Sequence, residues 1–370
     1  MTPQLEIQII AVMVAVACSL PGVFLVLRKM SMMSDAITHT ILLGIVIAFF
    51  ITHSLTSPLL IVGAALVGVI TVFLTEILNS TKLVSEDSAI GIVFPLLFSI
   101  AIIMISKYAG SVHLDTDSVL LGELAFAPFN RMKIGGMDIG AKGMYSMGAI
   151  LIINLIFIIV FFKELKVVTF DPALAAVLGF APALLHYSLM TIVSITAVGA
   201  FEAVGSILVI AFMIGPPVTA YLLTNDLKRM IILSALIGAI NAILGYQFAQ
   251  RLDVSIAGSM AVLTGITFLL VFIFAPGTGL LTIIRRRKSQ RIEFAEKSML
   301  FHLYNHEGEE NEKRECGVNS IHEHLHWEQG FLKSIIKGLK QQNKLFIEDD
   351  VIKLTDEGRS YAIMSYKEIA

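Results

Sequence analysis

Two side chains with metal-binding chemistry, Asp35 and His39, lie four residues apart in MSMMSDAITHTILLG (30–44), at the start of an apolar run. In a helix, positions i and i+4 project from one face about one turn apart. A carboxylate oxygen and an imidazole nitrogen together suit a borderline divalent cation such as Mn(II), Fe(II) or Zn(II). The pair is therefore a candidate metal contact. The alternative is that Asp35 caps the helix while His39 bonds a neighbouring helix.

Two further features could contribute to a path for an ion. Glu202 begins the apolar run 202–223 and is a weaker candidate metal ligand, with an interfacial carboxylate favoured by the helix dipole as the alternative. Gly215, Pro216 and Pro217 are expected to break the same run, because prolines free backbone carbonyls that tend to line a pathway. A simple packing kink explains them almost equally well.

The segment FDPALAAVLGF (170–180) predicts a short helix between two apolar runs. Phe170, Asp171 and Pro172 are typical of a turn with an N-cap, and Gly179 is typical of a helix end, with Ala175 between them. A short helix parallel to the membrane would suit the docking of a soluble partner. A mere connector is the alternative.

These residues belong to a very apolar chain. Of its 370 residues, 56% are hydrophobic and 15% are charged, against about 25% charged in an average soluble domain. Apolar runs of membrane-spanning length recur, so we expect an all-α polytopic membrane protein. Nine runs qualify: 7–27, 35–52, 57–78, 88–106, 146–162, 183–200, 202–223, 230–250 and 256–276. A tight turn is expected at Gly199 and Ala200, and merging two runs there gives an eight-span alternative.

Basic residues are concentrated on one side of the predicted membrane. With the N-terminus outside, the inside loops carry most of them, including the run from Arg285 to Lys288, so the tail lies in the cytoplasm. Residues 111–130 predict a short amphipathic or re-entrant element, followed by a glycine-rich connector over 135–143. The sequence contains no phosphate-binding loop, so ATP hydrolysis is expected on a partner subunit.

The composition changes near residue 284, which predicts a transmembrane domain over 1–284 and a soluble domain over 285–370. Of the 27 basic and 29 acidic residues, the last 86 residues hold 15 of each. Helical patterns over 293–307, 319–328 and 329–343 precede a hairpin pattern over 344–355 and a last helix, the order of a winged helix-turn-helix. After Arg291 the domain holds 10 basic and 14 or 15 acidic residues, depending on whether Glu293 is counted, and this acidic balance argues against nucleic-acid binding.

The tail also contains five histidines that could bind metal or form a solvated face. They are His302, His306, His322, His324 and His326. In a helix, His322 and His326 would share one face.

The order of these motifs resembles that of permease subunits of ABC importers for zinc, manganese and iron. PGVFLVLRKMSMMSDAITHTILLGIVIAFF (21–50) is similar to the opening of that family, with Asp35 and His39 at its Asp-Ala-x-x-His positions and Leu43 in place of its proline. Three later segments also resemble family elements: LDTDSVLLGEL (114–124), FDPALAAVLGF (170–180) and AVGSILVIAFMIGPPVTAYLLT (203–224). The last favours the manganese/iron branch. The tail is similar to the winged-helix part of iron- and manganese-dependent repressors.

This resemblance implies a multi-pass permease of the plasma or inner membrane that moves Mn(II), Fe(II) or Zn(II) into the cytoplasm and holds no permanent cofactor. It implies that Asp35 and His39 line the metal path and that FDPALAAVLGF is a coupling helix for a separate ATPase subunit. The other implied partners are an extracytoplasmic metal-binding protein and a second permease, either a copy or a paralogue. Two alternatives stay open: an ATP-independent transporter or channel, and a membrane-tethered metal-responsive regulator.

Overall fold

The computed structural model describes residues 2–54, 57, 59–108, 124–134 and 137–369. The chain divides into two compact units, Met1–Gly279 and Leu280–Ala370. The boundary between the units lies earlier in the chain than the one predicted after residue 284. The reason is that one helix, Leu280–His306, contains both the apolar residues from Leu280 and the basic run that follows. Most of LDTDSVLLGEL (114–124) and of the amphipathic element predicted over 111–130 lies outside the described residues.

Nine helices in the described part of the first unit are long and apolar enough to cross a membrane. They are α1 (Pro3–Leu27), α2 (Ser31–Thr52), α3 (Leu59–Ser80), α4 (Glu86–Tyr108), α5 (Lys142–Val160), α8 (Pro182–Val204), α9 (Ser206–Leu223), α10 (Leu227–Leu252) and α11 (Ile256–Phe274). A hydrocarbon core about 30 Å thick needs roughly 20 helical residues, which these helices supply. The prediction of about nine spans is confirmed, and the unit is mostly helical rather than all-α.

The turn between the sixth and seventh spans lies at Gly205, not at Gly199 and Ala200 as predicted. Gly205 has a φ of 81°, a conformation that favours glycine, and α9 begins at the next residue. Gly199 is instead a packing residue, since a Cβ there would lie 2.2 Å from Cδ1 of Ile150 on α5. Glu202 therefore belongs to the last turn of α8 and does not begin the following span.

Helix α9 continues through Gly215, Pro216 and Pro217, so the predicted break in this span is wrong. Pro217 has no N–H to offer the carbonyl of Met213, four residues earlier. Gly22 of α1 packs against that carbonyl, since a Cβ at Gly22 would lie only 2.0 Å from the Met213 oxygen. Both prolines are buried, and the packing interpretation accounts for them.

Helix α1 lies in the interior of the bundle and packs against α5, α8, α9 and α10, with Phe24 fully buried. Helices α2 and α3 cross so closely that a Cβ at Gly44 would lie 2.3 Å from the carbonyl oxygen of Gly63. Helix association in a bilayer depends on close van der Waals packing, which small residues permit. The two glycines therefore hold α2 firmly against α3.

Short elements connect the spans. A 3-10 helix (Leu124–Phe129) precedes an antiparallel hairpin of β1 (Arg131–Ile134) and β2 (Met137–Ala141), which leads into α5. Residues 135–136 of the predicted glycine-rich connector (135–143) lie outside the described residues, and the remainder is partly a strand and partly the start of a helix. Between α5 and α8 lie the shorter helices α6 (Phe162–Phe170) and α7 (Pro172–Val177).

The second unit has its own hydrophobic core. Its elements are α12 (Leu280–His306), α13 (Glu312–Glu315), α14 (Ile321–Leu325), α15 (Gln329–Gln341), β3 (Leu345–Glu348), β4 (Val351–Leu354) and α16 (Asp356–Ile369). The predicted order of helices, hairpin and last helix is present, with α13 as an additional element. Asp349 and Asp350 both have positive φ and form the hairpin turn.

Candidate functional site

Asp35 and His39 form a carboxylate–imidazole pair on one face of α2. His39 Nε2 lies 3.4 Å from Asp35 Oδ1, and the His39 and Asp35 side chains are 24% and 35% exposed. The His39 ring packs against Phe94 and Phe98 of α4, with centroid distances of 5.2 and 5.9 Å. The helical spacing thus brings the two groups together, and the aromatic rings of a second helix orient the imidazole.

The pair lies within the helix rather than at its cap. Helix α2 begins at Ser31, and Met30 occupies the N-cap position. A rise of 1.5 Å per residue places Asp35 about 6 Å and His39 about 12 Å from that end of the helix. The capping interpretation of Asp35 is therefore wrong.

A second carboxylate–imidazole pair joins α3 to α8. Glu76 Oε1 lies 2.6 Å from His186 Nε2, and the Tyr187 hydroxyl donates a 2.6 Å hydrogen bond to Glu76 Oε2. His186 is 15% exposed and Glu76 is 37% exposed. Both carboxylate oxygens are thus held by groups from one neighbouring helix.

Arg28, in the turn between α1 and α2, adds a cation to this second pair. Its Nη1 lies 3.2 Å from His186 Nδ1, and its Nε donates a 3.2 Å hydrogen bond to Thr169 Oγ1. Burial lowers the pKa of Arg28 to about 10, so the guanidinium is still charged at neutral pH. These residues line a pocket of about 480 Å³ that Pro172 of α7 also borders. The nearby positive charge disfavours a metal ion here.

Helix α7 has the capping expected of the predicted coupling segment. Asp171 Oδ1 accepts a 2.9 Å hydrogen bond from the N–H of Leu174, which satisfies a donor of the first turn. Pro172 occupies the first helical position. Gly179 follows the helix with a φ of 87°, so the chain turns there towards α8.

One face of this segment is buried and the other is exposed. Ala175 packs with Val168 and Leu185 in a small apolar cluster. Several large apolar side chains of the segment are instead exposed: Phe170, Leu174, Val177 and Leu178. An exposed group of this size on a short, capped helix is typical of an interaction surface.

Glu202 is exposed and forms an ion pair with Lys142, the first residue of α5, at 3.3 Å. A stronger pair lies nearby in the fold, where Arg131 of β1 binds the buried Glu6 at 3.1 Å and also Asp138 at 2.6 Å. The hydrogen bond to Asp138 raises the pKa of Arg131. A cation already accompanies each of these carboxylates, which disfavours Glu202 as a metal ligand.

The structure does not gather all the predicted residues into one site. The Asp35–His39 pair, the coupling segment and the buried prolines of α9 lie on different elements. Sequence reasoning missed the network of Glu76, His186 and Tyr187. The available signal was the consecutive His186 and Tyr187 at the start of an apolar run, a place where polar side chains need a partner.

Comparison with known proteins identifies the family. Residues 5–275 match ABC-3, the ABC 3 transport family. The manganese transport system membrane protein MntD of Bacillus subtilis is 47% identical over 271 residues, which are 73% of this chain and 92% of MntD. The zinc transport system membrane protein TroD of Treponema pallidum is 40% identical over 358 residues, 97% of each chain, so the similarity includes the tail.

A solved structure supports the same assignment. A chain of PsaBC from Streptococcus pneumoniae, determined in complex with Fab, is 28% identical and superimposes with a TM-score of 0.64. The match covers 76% of this chain and 95% of that chain. Together with the nine apolar helices, these matches show that the chain belongs to the ABC 3 transport family and is the membrane permease subunit of an ABC importer, in which a separate subunit hydrolyses ATP.

Proposed function

We propose that this permease moves a divalent transition metal ion, Mn(II), Fe(II) or Zn(II), into the cytoplasm, with the manganese/iron branch favoured by the form of the 203–224 segment. Relatives named for manganese and zinc transport support the proposal. The observation that carries it is the Asp35–His39 pair, an oxygen and a nitrogen ligand on one face of a membrane-spanning helix. The metal is the cargo of the protein and not a resident cofactor.

The geometry of the Asp35–His39 pair suits the brief binding of a metal ion on its way through the membrane. The Asp35 carboxylate attracts the cation, and the neutral imidazole of His39 supplies a nitrogen ligand whose ring Phe94 and Phe98 orient. Two ligands bind an ion more weakly than the three or four protein ligands of a permanent site. Conduction requires binding that is favourable enough for entry and weak enough for release.

The segment 170–180 is the contact with the ATPase subunit in this proposal. Its exposed apolar side chains, Phe170, Leu174 and Val177, supply the docking surface, and its buried face transmits movement to α8 through Ala175 and Leu185. The other partners are an extracytoplasmic metal-binding protein and a second permease, either a copy or a paralogue. In this proposal the segment and the tail lie in the cytoplasm, which the basic residues of the predicted inside loops support.

The tail is a winged-helix domain in this proposal. Support comes from its helices, the β3–β4 hairpin as the wing and the last helix. The acidic excess after Arg291, with 10 basic and 15 acidic residues, argues against a DNA-binding role.

Metal uptake by cells that contain the ATPase and binding-protein partners tests the metal path. Asp35→Asn and His39→Gln are expected to lower Mn(II) uptake at least tenfold, because each removes one ligand with little change in shape. His53→Asn is the control, since His53 is an exposed histidine at the end of the same helix, in a left-handed position that asparagine tolerates. Wild-type uptake by both ligand variants, at normal membrane levels, would refute the proposed contact.

Co-purification with the ATPase tests the coupling segment. Leu174→Asp and Val177→Asp place charges on the exposed apolar face and are expected to abolish co-purification and uptake together. Lys163→Ser, an exposed change on neighbouring α6, is the control and should retain both. Retained ATPase binding in both aspartate variants would show that the docking surface lies elsewhere.

A further inference from the structure

Three potential metal ligands of the second unit lie close together. His302 and His306 lie one turn apart on α12, and Glu315 is the last residue of α13. One ligand atom from each side chain lies within 4.8 Å of the other two. A tetrahedral metal with ligands at about 2.0–2.1 Å holds them roughly 3.4 Å apart, so side-chain rotations over about 1 Å would close this group on an ion.

Hydrogen bonds determine which ring nitrogens carry a lone pair. His302 Nε2 lies 3.0 Å from the carbonyl oxygen of Glu315, and His306 Nδ1 lies 2.8 Å from Glu309 Oε2. Because these oxygens can only accept, each neutral ring donates its N–H there and keeps the lone pair on its other nitrogen. An oxygen behind the imidazole is the usual arrangement that orients a metal-bound histidine.

His324 of α14 holds the carboxylate of the group. Its Nδ1 lies 3.0 Å from Glu315 Oε2, and its ring stacks on that of His302 with a centroid distance of 6.1 Å. The four side chains are partly buried, whereas His326 is exposed. The grouping therefore does not have the character of a solvated face, and it differs from the His322 and His326 pair that the sequence suggested.

The local charge favours a cation. Glu309 binds His306, and Glu312 lies three residues before Glu315 on the same short helix, so two further carboxylates accompany the group. Their negative charge attracts positive ions.

We propose that His302, His306 and Glu315 bind a borderline divalent cation of the class Mn(II), Fe(II), Co(II) or Zn(II). His324 orients the carboxylate, and water completes the coordination. Two nitrogens and one oxygen are a ligand set found around such ions. This site is separate from the Asp35–His39 pair, and its existence does not depend on what the permease transports.

Co(II) binding to the purified full chain in detergent tests the site, with the visible absorption of Co(II) and the metal retained after dialysis as readouts. All proteins carry Asp35→Asn, so the bundle pair makes no contribution. His306→Gln and Glu315→Gln each remove one ligand and preserve side-chain polarity. We expect each to weaken Co(II) binding at least tenfold, with the loss of one bound equivalent and of its absorption band.

His326→Asn is the matched control, because it removes an exposed histidine from a left-handed position that asparagine tolerates. This variant should bind one equivalent of Co(II) as the parent does, and Zn(II) should displace it. Unchanged Co(II) affinity in both glutamine variants would overturn the proposal, as would an equal loss in His326→Asn. Thermal unfolding curves identify any variant that fails to fold. If one ligand variant fails to fold, the Co(II) affinity of the other ligand variant tests the proposal.

Discussion

In the described part of the bundle, two carboxylate–imidazole pairs differ in almost every respect. Asp35 and His39 come from one helix, and their 3.4 Å separation exceeds the usual length of a hydrogen bond. Glu76 and His186 come from two helices and lie 2.6 Å apart, with Tyr187 and Arg28 bound to them. The same two functional groups thus occur once as a loose pair and once as a tightly bonded network.

This difference distinguishes a pair that can bind a metal ion, Asp35 and His39, from a pair that links two helices, Glu76 and His186. In the second pair, protein donors already bind both carboxylate oxygens, so an arriving metal ion would have to displace them beside a guanidinium. In the first pair, the groups share one face of α2 and an ion needs to displace only their mutual contact. Proximity of a histidine and a carboxylate alone therefore does not identify a metal site. The number of bonds that the two side chains already make to other protein groups distinguishes a metal site from a structural pair.

Gly44→Ala is expected to have the largest effect, because it disturbs both pairs at once. A Cβ would lie 2.3 Å from the Gly63 carbonyl oxygen and 2.6 Å from Ala64 Cα, so α2, which carries the first pair, must move away from α3, which carries Glu76. We expect a loss of about 1–3 kcal/mol in unfolding free energy and at least a tenfold fall in metal uptake. Gly91→Ala is the control, because a Cβ at this glycine of α4 meets open space, and it should lower neither the unfolding free energy nor metal uptake. Wild-type stability of Gly44→Ala would contradict the close crossing.

Glu76→Gln should lower the free energy of unfolding, whereas Asp35→Asn should leave it unchanged. Loss of the charge weakens the bonds to His186 and Tyr187, and partial exposure of Glu76 limits the cost to about 1–2 kcal/mol. Thermal unfolding of the two purified variants in one detergent measures the contrast. Equal melting temperatures for the two variants would remove the distinction between the pairs.

Tyr187→Phe tests one bond of the network. The hydroxyl donates its 2.6 Å hydrogen bond to a partly exposed carboxylate, so its removal should cost about 1 kcal/mol. The double variant with Glu76→Gln should cost less than the sum of the single changes, because both act on the same bond. Additive losses would show that the two side chains do not act on each other.

Glu202→Gln is expected to have the smallest effect. Its pair with Lys142 is exposed on both sides, and such pairs contribute about 0–1 kcal/mol. Uptake should stay within twofold of wild type, and Lys142→Gln should behave in the same way. A tenfold loss of uptake in Glu202→Gln, with Lys142→Gln unaffected, would restore Glu202 as a metal ligand.

The spans were predictable because each must be apolar over its whole length in a bilayer. The position of the turn at Gly205 was not, since a packing glycine such as Gly199 and a turn glycine have the same sequence signal. Pro216 and Pro217 indicated a broken helix. The residue that packs against this part of α9, Gly22, lies in a distant part of the sequence. Local pattern therefore predicts elements, while their irregularities depend on neighbours that only the fold supplies.

The same limit applies to the polar groups. The Asp35–His39 pair was predictable because both residues lie on one helix, where a spacing of four fixes their relation. Glu76 and Tyr187 are 111 residues apart, so no periodicity joins them. In the tail, the spacing suggested His322 and His326, but α14 ends after Leu325 and the fold gathers His302, His306 and Glu315 instead.

The salt bridge between Glu6 and Arg131 has a consequence for biosynthesis. The two residues are separated by 125 positions, and Glu6 is 2% exposed in the folded bundle. A ribosome that adds about 5–20 residues per second needs roughly 6–25 s to reach the arginine. During that interval the first helix has no partner for its carboxylate, so it must wait with Glu6 in water at the membrane boundary. Final docking of α1 is therefore a late event of membrane insertion, because Arg131 and the still later helices α8, α9 and α10 all have to be present.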